Sequence, residues 1–245
     1  MYKSFSMYNL NALKSEYAAA VKSGNAKKEQ RFTDHLMLSS DPAYIAWHYE
    51  LLDETNNTSR FYNLLILAFI DRGAVAGDFL LKQLSIEQRE HMQRRIIDVL
   101  GWMKHPAVRE LVLRNVQSPE QEKRRQACYV LSWVGRADDL AILRKLLQQE
   151  PEMDVRVEAA MSLIEWADHL PAYKTAVMHL LIQTLRKAEG DSWEVQEFIA
   201  WLVISAQQIS GLYFGIDEAP DTIGFSGDVF KARENVLATL KSMNE

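Results

Sequence analysis

A single cysteine, Cys128, excludes any disulfide within the chain and suits a reducing compartment. Glycine and proline are scarce, 10 and 6 in 245 residues, too few for a β-rich chain that turns tightly at each strand end. No uninterrupted apolar run exceeds the seven residues of 64–70, whereas a bilayer span needs about 20. Residues 1–11 set Lys3 among Ser and Asn without the apolar stretch of a signal peptide, so a cytoplasmic protein is expected. No Gly-Lys-Ser/Thr phosphate loop occurs, and none of the six histidines pairs with another at i, i+3 or i+4. Neither cofactor nor metal is expected.

What the chain does have is helix formers, with Leu, Ala, Glu, Gln, Lys and Arg dominating. The net charge of −5 argues against a general nucleic-acid binder. Its distribution says more: residues 1–40 sum to +3 and residues 188–245 to −7, which leaves an acidic C-terminal quarter.

A repeat underlies the middle of the chain. Arg124, Ala127, Cys128 and Leu131 recur 32 residues later as Arg156, Ala159, Ala160 and Leu163. Gln93, Ile96, Ile97 and Leu100 fill the same slots upstream, and Gln196, Ile199, Ala200 and Val203 fill them downstream. Arg60 and Leu67 give a further, poorer copy, so the leucine slot runs Leu67, Leu100, Leu131, Leu163, Val203 with steps of 33, 31, 32 and 40. Offsets of three, four and seven put these residues on one helical face, and small side chains there admit a close neighbour. A Leu-rich helix follows each one. The pattern predicts helix pairs at 58–84, 86–117, 119–149 and 152–186, a helix at 192–209, and N-terminal helices at 8–23, 26–38 and 42–53. Ser85 with Gln88 and Ser118 with Gln121 have capping-box spacing. Pro42, Pro106, Pro119 and Pro171 suit first turns, and Gly73, Gly101 and Gly135 suit helix ends.

The segment from Pro151 to Leu163 resembles the HEAT-repeat signature Asp-x-x-Val-Arg-x-x-Ala-Ala-x-x-Leu through Asp154 or Glu152, Val155, Arg156, Ala159, Ala160 and Leu163. Residues 118–135 are similar, with Lys123 in the valine position. The resemblance covers residues 58–209 and is strongest over 86–186. It implies an all-α α-solenoid: one domain over 1–245, with an N-terminal helical cap at 1–57, repeats at 58–209, a loop at 210–227 and a C-terminal helix at 228–245. Gln93 and Gln196 stand where the family has arginine.

Chemistry-bearing constellations are few. Cys128 occupies a packing slot. Glu87 with His91 and Glu165 with His169 have i, i+4 spacing. Trp102, Trp133 and Trp166 follow the repeat leucine closely and read as packing between repeats. Trp193, Glu197 and Trp201 are loosely similar to the tryptophans and acid of HEAT-like DNA glycosylases, an enzyme alternative that the acidic setting opposes.

Two surfaces are candidates for partner binding. One is basic and lies on the second helices of the pairs: Arg109, Arg114, Arg144, Lys145 and Lys174, with Arg186 and Lys187 beyond. The solenoid resemblance puts those helices on a concave side. The other is the acidic end, Glu194 and Glu197, together with loop 211–227, which carries Tyr213, Phe214, Asp217, Glu218 and Asp221. A long loop of aromatics and carboxylates suits either an interface with a basic protein or a plain linker. With no catalytic cluster, a protein-binding module is the expected class. Its most concrete form resembles small, acidic, HEAT-like bacterial toxin-immunity proteins, which bind and mask a basic toxin domain. Neither nucleic acid nor membrane is an expected partner.

Overall fold

The structure is a computed structural model that describes residues 9–55, 59–219 and 224–239. It is all-α apart from one two-residue strand pair, and it divides into two compact units, Met1–Met103 and Lys104–Glu245. The first unit contains α1 (Leu10–Ser23), α2 (Ala26–Met37), α3 (Pro42–Glu54), α4 (Arg60–Asp71), α5 (Ala74–Leu84) and α6 (Glu90–Trp102). The second contains α7 (Pro106–Asn115), α8 (Gln121–Val134), α9 (Leu140–Gln149), α10 (Met153–His169), α11 (Lys174–Lys187), α12 (Trp193–Ser210), β1 (Asp217–Glu218), β2 (Phe225–Ser226) and α13 (Val229–Thr239). No described helix is long and apolar enough to cross a membrane.

In the second unit α10 packs between α8 and α12, and α7, α9 and α11 back this layer. The repeat explains the arrangement. Ala127, Cys128, Leu131, Ala159, Ala160, Leu163, Ile199, Ala200 and Val203 are all fully buried. Their small side chains let the α8, α10 and α12 backbones approach closely. Burial also pushes the Cys128 thiol well above its ordinary range, so it stays protonated and packs as an apolar residue.

The polar slot does a separate job. Arg124 donates from Nη1 to the carbonyls of Ser118 and Pro119, both at 3.0 Å, and Arg156 donates from Nε to that of Leu147 at 3.0 Å. Gln196 donates to the Asp191 carbonyl at 2.7 Å. In the first unit Gln93 donates to the Glu87 carbonyl at 2.7 Å. Each slot residue thus ties its helix to the segment leading into it, which needs an N–H and not a charge. Glutamine can therefore replace arginine. Arg124 also pairs with the buried Glu150 at 2.6 Å, and Arg156 lies 4.2 Å from the Phe198 ring centroid.

The first unit departs from the repeat. Its core is aromatic: Tyr17, Phe32, Trp47 and Phe61 meet with ring centroids 5.5–6.1 Å apart. That cluster sets the rotation of α4, which buries Phe61, Leu65 and Phe69. Leu67 is consequently 58% exposed, so the leucine-slot series begins at Leu100 and not at Leu67. Below the cluster, Arg72 joins three helices, donating to the carbonyls of Leu36 and Ser39 at 2.7 Å and to His48 Nδ1 at 3.2 Å. Because arginine only donates, Nδ1 must accept, and Nε2 then carries the proton it gives to the Leu65 carbonyl at 3.0 Å.

The capping boxes do not form. Ser85 ends α5 by donating to the Lys82 carbonyl, and Ser118 accepts from the Glu120 N–H; neither caps a helix start. Pro119 precedes α8 and is outside its first turn. Pro42 and Pro106 do occupy first turns, and Pro171 starts a 3-10 turn. Gly101 is the penultimate residue of α6, and Gly73, with φ 64°, follows the end of α4 and precedes α5, so both fall at helix ends. Gly135 ends α8 with φ −64°, so space rather than backbone freedom explains it. A Cβ there would sit 2.8 Å from Trp166 Nε1.

Two predictions follow from these contacts. Arg124→Ala strands the Glu150 carboxylate and two loop carbonyls, and should cost about 3 kcal/mol of unfolding free energy in a denaturant titration. Gln93→Ala loses one neutral bond and should cost about 1 kcal/mol. Equal costs would contradict the division of labour between charge and donor. For His48, burial first and the Arg72 charge second pull the imidazole pKa from 6.5 down to about 3. The unfolded chain takes up that proton as the pH falls below 6.5 while the folded one does not, so folded stability is lost on acidification in this window. His48→Gln should flatten the fall of the denaturation midpoint between about pH 6.5 and about pH 4; parallel curves would contradict it.

Candidate functional site

Among the basic residues of the second helices, part of the charge is already engaged. Arg109 makes two hydrogen bonds to Asp139, at 2.7 and 2.8 Å, and that carboxylate is itself buried. Lys174 pairs with Asp168 at 2.7 Å. Arg114, Arg144 and Lys145 are exposed and make no ion pair among the described residues. Lys145 borders an apolar groove of about 770 Å³ between α7 and α9, lined by Leu113, Val116, Ile142 and Leu146.

The acidic end is built differently. Glu194 and Glu197 rise from the first turns of α12, and Glu197 is half-buried. Its carboxyl is pushed above the ordinary glutamate range, first by burial and then by the charges of Asp154 and Glu194. No lysine or arginine pairs with Glu194, Glu197, Asp217 or Glu218 among the described residues. Asp154 extends the group onto α10, where Glu158 and Glu165 follow at i+4 and i+11 on the same side. Glu158 is partly balanced by Arg125 at 3.4 Å.

The described parts of loop 211–227, residues 211–219 and 224–227, are structured rather than a bare linker. The Gln207 side chain donates to the Ile216 carbonyl at 2.8 Å and accepts from the N–H groups of Phe214 and Ile216. Asn235 of α13 donates to the Phe214 carbonyl at 3.0 Å. Phe214 and Ile216 are buried, so Phe214 anchors the loop and is not on its surface. β1 pairs antiparallel with β2, Asp217 opposite Ser226 and Glu218 opposite Phe225. Gly227, at φ 124°, lies so close to Gly215 that a side chain would strike its carbonyl. Phe225 stacks on Trp193 at 5.5 Å, which binds the hairpin to α12. Tyr213 is 66% exposed and donates to Asp217. Asp221 lies outside the described residues.

Trp193, Glu197 and Trp201 do not share an open surface. Trp193 is exposed and stacked on Phe225, whereas Trp201 is 2% exposed within the α8–α10–α12 layer. The two acid–histidine pairs also fail to form. Glu87 is held by Arg89 and Tyr49, His91 pairs with Asp53 at 2.7 Å, and His169 faces Lys104. No group of three potential metal ligands occurs among the described residues.

One feature of the α8–α10–α12 layer was hidden from the sequence. Trp133, Ser162 and Trp201 line a cavity of about 310 Å³, together with Tyr129, Glu165 and Glu218. The indole N–H groups of Trp133 and Trp201 and the Ser162 hydroxyl are buried without a hydrogen-bond partner among the described residues. Such atoms cost about 1–3 kcal/mol each when left unpaired. Trp133 reads from its spacing as packing alone, and only the fold joins it to residues 29, 32, 68 and 85 positions away.

The repulsion at Glu197 yields a stability prediction. A raised carboxyl pKa adds stability that is fully present below the ordinary glutamate value and lost as pH rises through the raised one. Glu197→Gln should therefore raise the unfolding free energy measured in a denaturant titration at neutral pH, by no more than about 1 kcal/mol since solvent screens the group. The gain should vanish on acidification; a loss of stability at neutral pH would contradict the repulsion.

A family model describing HEAT repeats matches residues 77–164. No curated protein matches the chain.

Proposed function

We propose, from the premise that residues 77–164 of this chain are HEAT-like repeats, that it is a non-catalytic binding module whose acidic end receives a basic partner protein. HEAT repeats are helical modules of protein–protein interaction, and stacked helix pairs present a continuous surface suited to that task. The observation that carries the choice of face is the unequal use of charge. Arg109 and Lys174 of the basic face are paired with Asp139 and Asp168, leaving Arg114, Arg144 and Lys145, while none of Glu194, Glu197, Asp217 and Glu218 has a cation partner among the described residues. The Glu197 charge is held beside Asp154 and Glu194 at a cost in stability, as suits a surface awaiting a cationic partner. Exposed Tyr213, beside Asp217, adds an aromatic contact of the kind enriched in interfaces.

The most concrete form of this reading is an inhibitor of the immunity type, which lies over a basic toxin domain and masks its active site. Long-range attraction would speed the encounter and make it sensitive to salt. Base excision on DNA is the poorer reading: Trp193 and Trp201 share no open surface, and the nearby charge is of the sign that repels phosphates.

The test is purification of the chain's partner, followed by kinetics with the isolated pair. The expected partner has a basic face, loses its own activity when bound, and associates more slowly as salt rises. Glu194→Gln, Glu197→Gln and Glu218→Gln together should weaken binding at least about tenfold, mainly through association. A partner indifferent to these changes but lost on neutralising Arg114, Arg144 and Lys145 would move the interface to the basic helices and overturn the proposal.

A further inference from the structure

The cavity in the α8–α10–α12 layer combines three features. Its wall is aromatic, from Tyr129, Trp133 and Trp201. Glu165 and Glu218 are exposed carboxylates on its lining, and neither has an ion-pair partner among the described residues. Trp133 Nε1, Ser162 Oγ and Trp201 Nε1 are buried donors with no acceptor among the described residues, and Ser162 and Trp201 are 3% and 2% exposed.

We propose that this cavity takes an arginine or lysine side chain of the partner protein, together with the peptide group that bears it. Rings and carboxylates side by side favour an organic cation, which gains both from the ring faces and from the negative charges. A cation alone would leave the donors unmet. A basic residue in a peptide brings backbone carbonyls within reach of its own side chain, and those accept from indole N–H and hydroxyl groups. A volume of about 310 Å³ suits one long side chain with its peptide rather than a larger ligand. An anionic ligand would satisfy the donors but meet Glu165 and Glu218. Glu218 belongs to the hairpin of the acidic end, so the cavity and that surface are continuous. The inference rests on the binding-module reading and narrows it to one anchoring side chain.

The probe is the capped tripeptide acetyl-Gly-Arg-Gly-amide, with the norleucine tripeptide as its uncharged counterpart. Binding is followed by the NMR shifts of the indole N–H protons of Trp133 and Trp201. The arginine peptide should shift both resonances saturably, with a dissociation constant near or below about 1 mM, and the norleucine peptide should bind at least about tenfold more weakly. Glu165→Gln with Glu218→Gln, both at exposed positions and not expected to affect folding, should weaken the arginine peptide at least about threefold. Equal binding of the two peptides, or no shift at about 10 mM arginine peptide, overturns the cavity assignment. If the isolated partner still binds through the acidic end in that case, the binding-module reading survives alone. If the arginine peptide binds the cavity but no partner protein is found, the cavity assignment survives and the module reading fails.

Discussion

Each regular repeat depends on one small interaction: a side-chain N–H at the slot residue, given back to a carbonyl of the segment that leads into its helix. Gln93, Arg124, Arg156 and Gln196 all make it. The bond fixes where the helix starts relative to the chain before it and satisfies loop carbonyls that packing would otherwise strand. Once the start is fixed, the residues three, four and seven positions on arrive together at the neighbouring helix. Alanine and cysteine there allow α8, α10 and α12 to close on one another. Those apolar contacts supply the stability, but the donor decides which face is presented to them.

The same division frees the outer side of the layer. Since the repeat needs only its inner face and one donor, Glu165 and Glu197 can stand on α10 and α12 with no ion-pair partner among the described residues. Elsewhere several arginines are absorbed, Arg124 by Glu150, Arg109 by Asp139, Arg89 by Glu87 and Asp53, although Arg114, Arg144 and Lys145 stay unpaired among the described residues. The contrast between spent arginines and unspent carboxylates distinguishes the acidic end more clearly than net charge does. Loop 211–227 then adds a hairpin to this end, held by Gln207 below, Asn235 beside it and Trp193 through Phe225.

Much of the fold was legible because repeat burial follows helical period. Leu100, Leu131, Leu163 and Val203 are buried where their spacing puts them, and the small residues beside them likewise. Leu67 misled because the aromatic cluster around Phe61 governs α4, and a cluster drawn from three other helices leaves no periodic mark. The capping boxes misled because Ser85 and Ser118 found nearer backbone partners. Carboxylates of the acidic end were visible as composition. Their lack of partners was not, since pairing depends on which side chains the fold brings within reach. The cavity was least legible of all: Trp133, Ser162, Trp201 and Glu218 come from three helices and a hairpin, and the spacing of Trp133 fits ordinary packing.

If the acidic side of the α8–α10–α12 layer is the working surface, partner binding must slow hydrogen exchange there and little elsewhere. Hydrogen–deuterium exchange of the chain, free and bound to its isolated partner, measures this directly. The expected footprint covers the outer side of α10, the start of α12 and the segment from Tyr213 to Glu218. Protection confined to α7, α9 and α11, or to the first unit, would contradict the account.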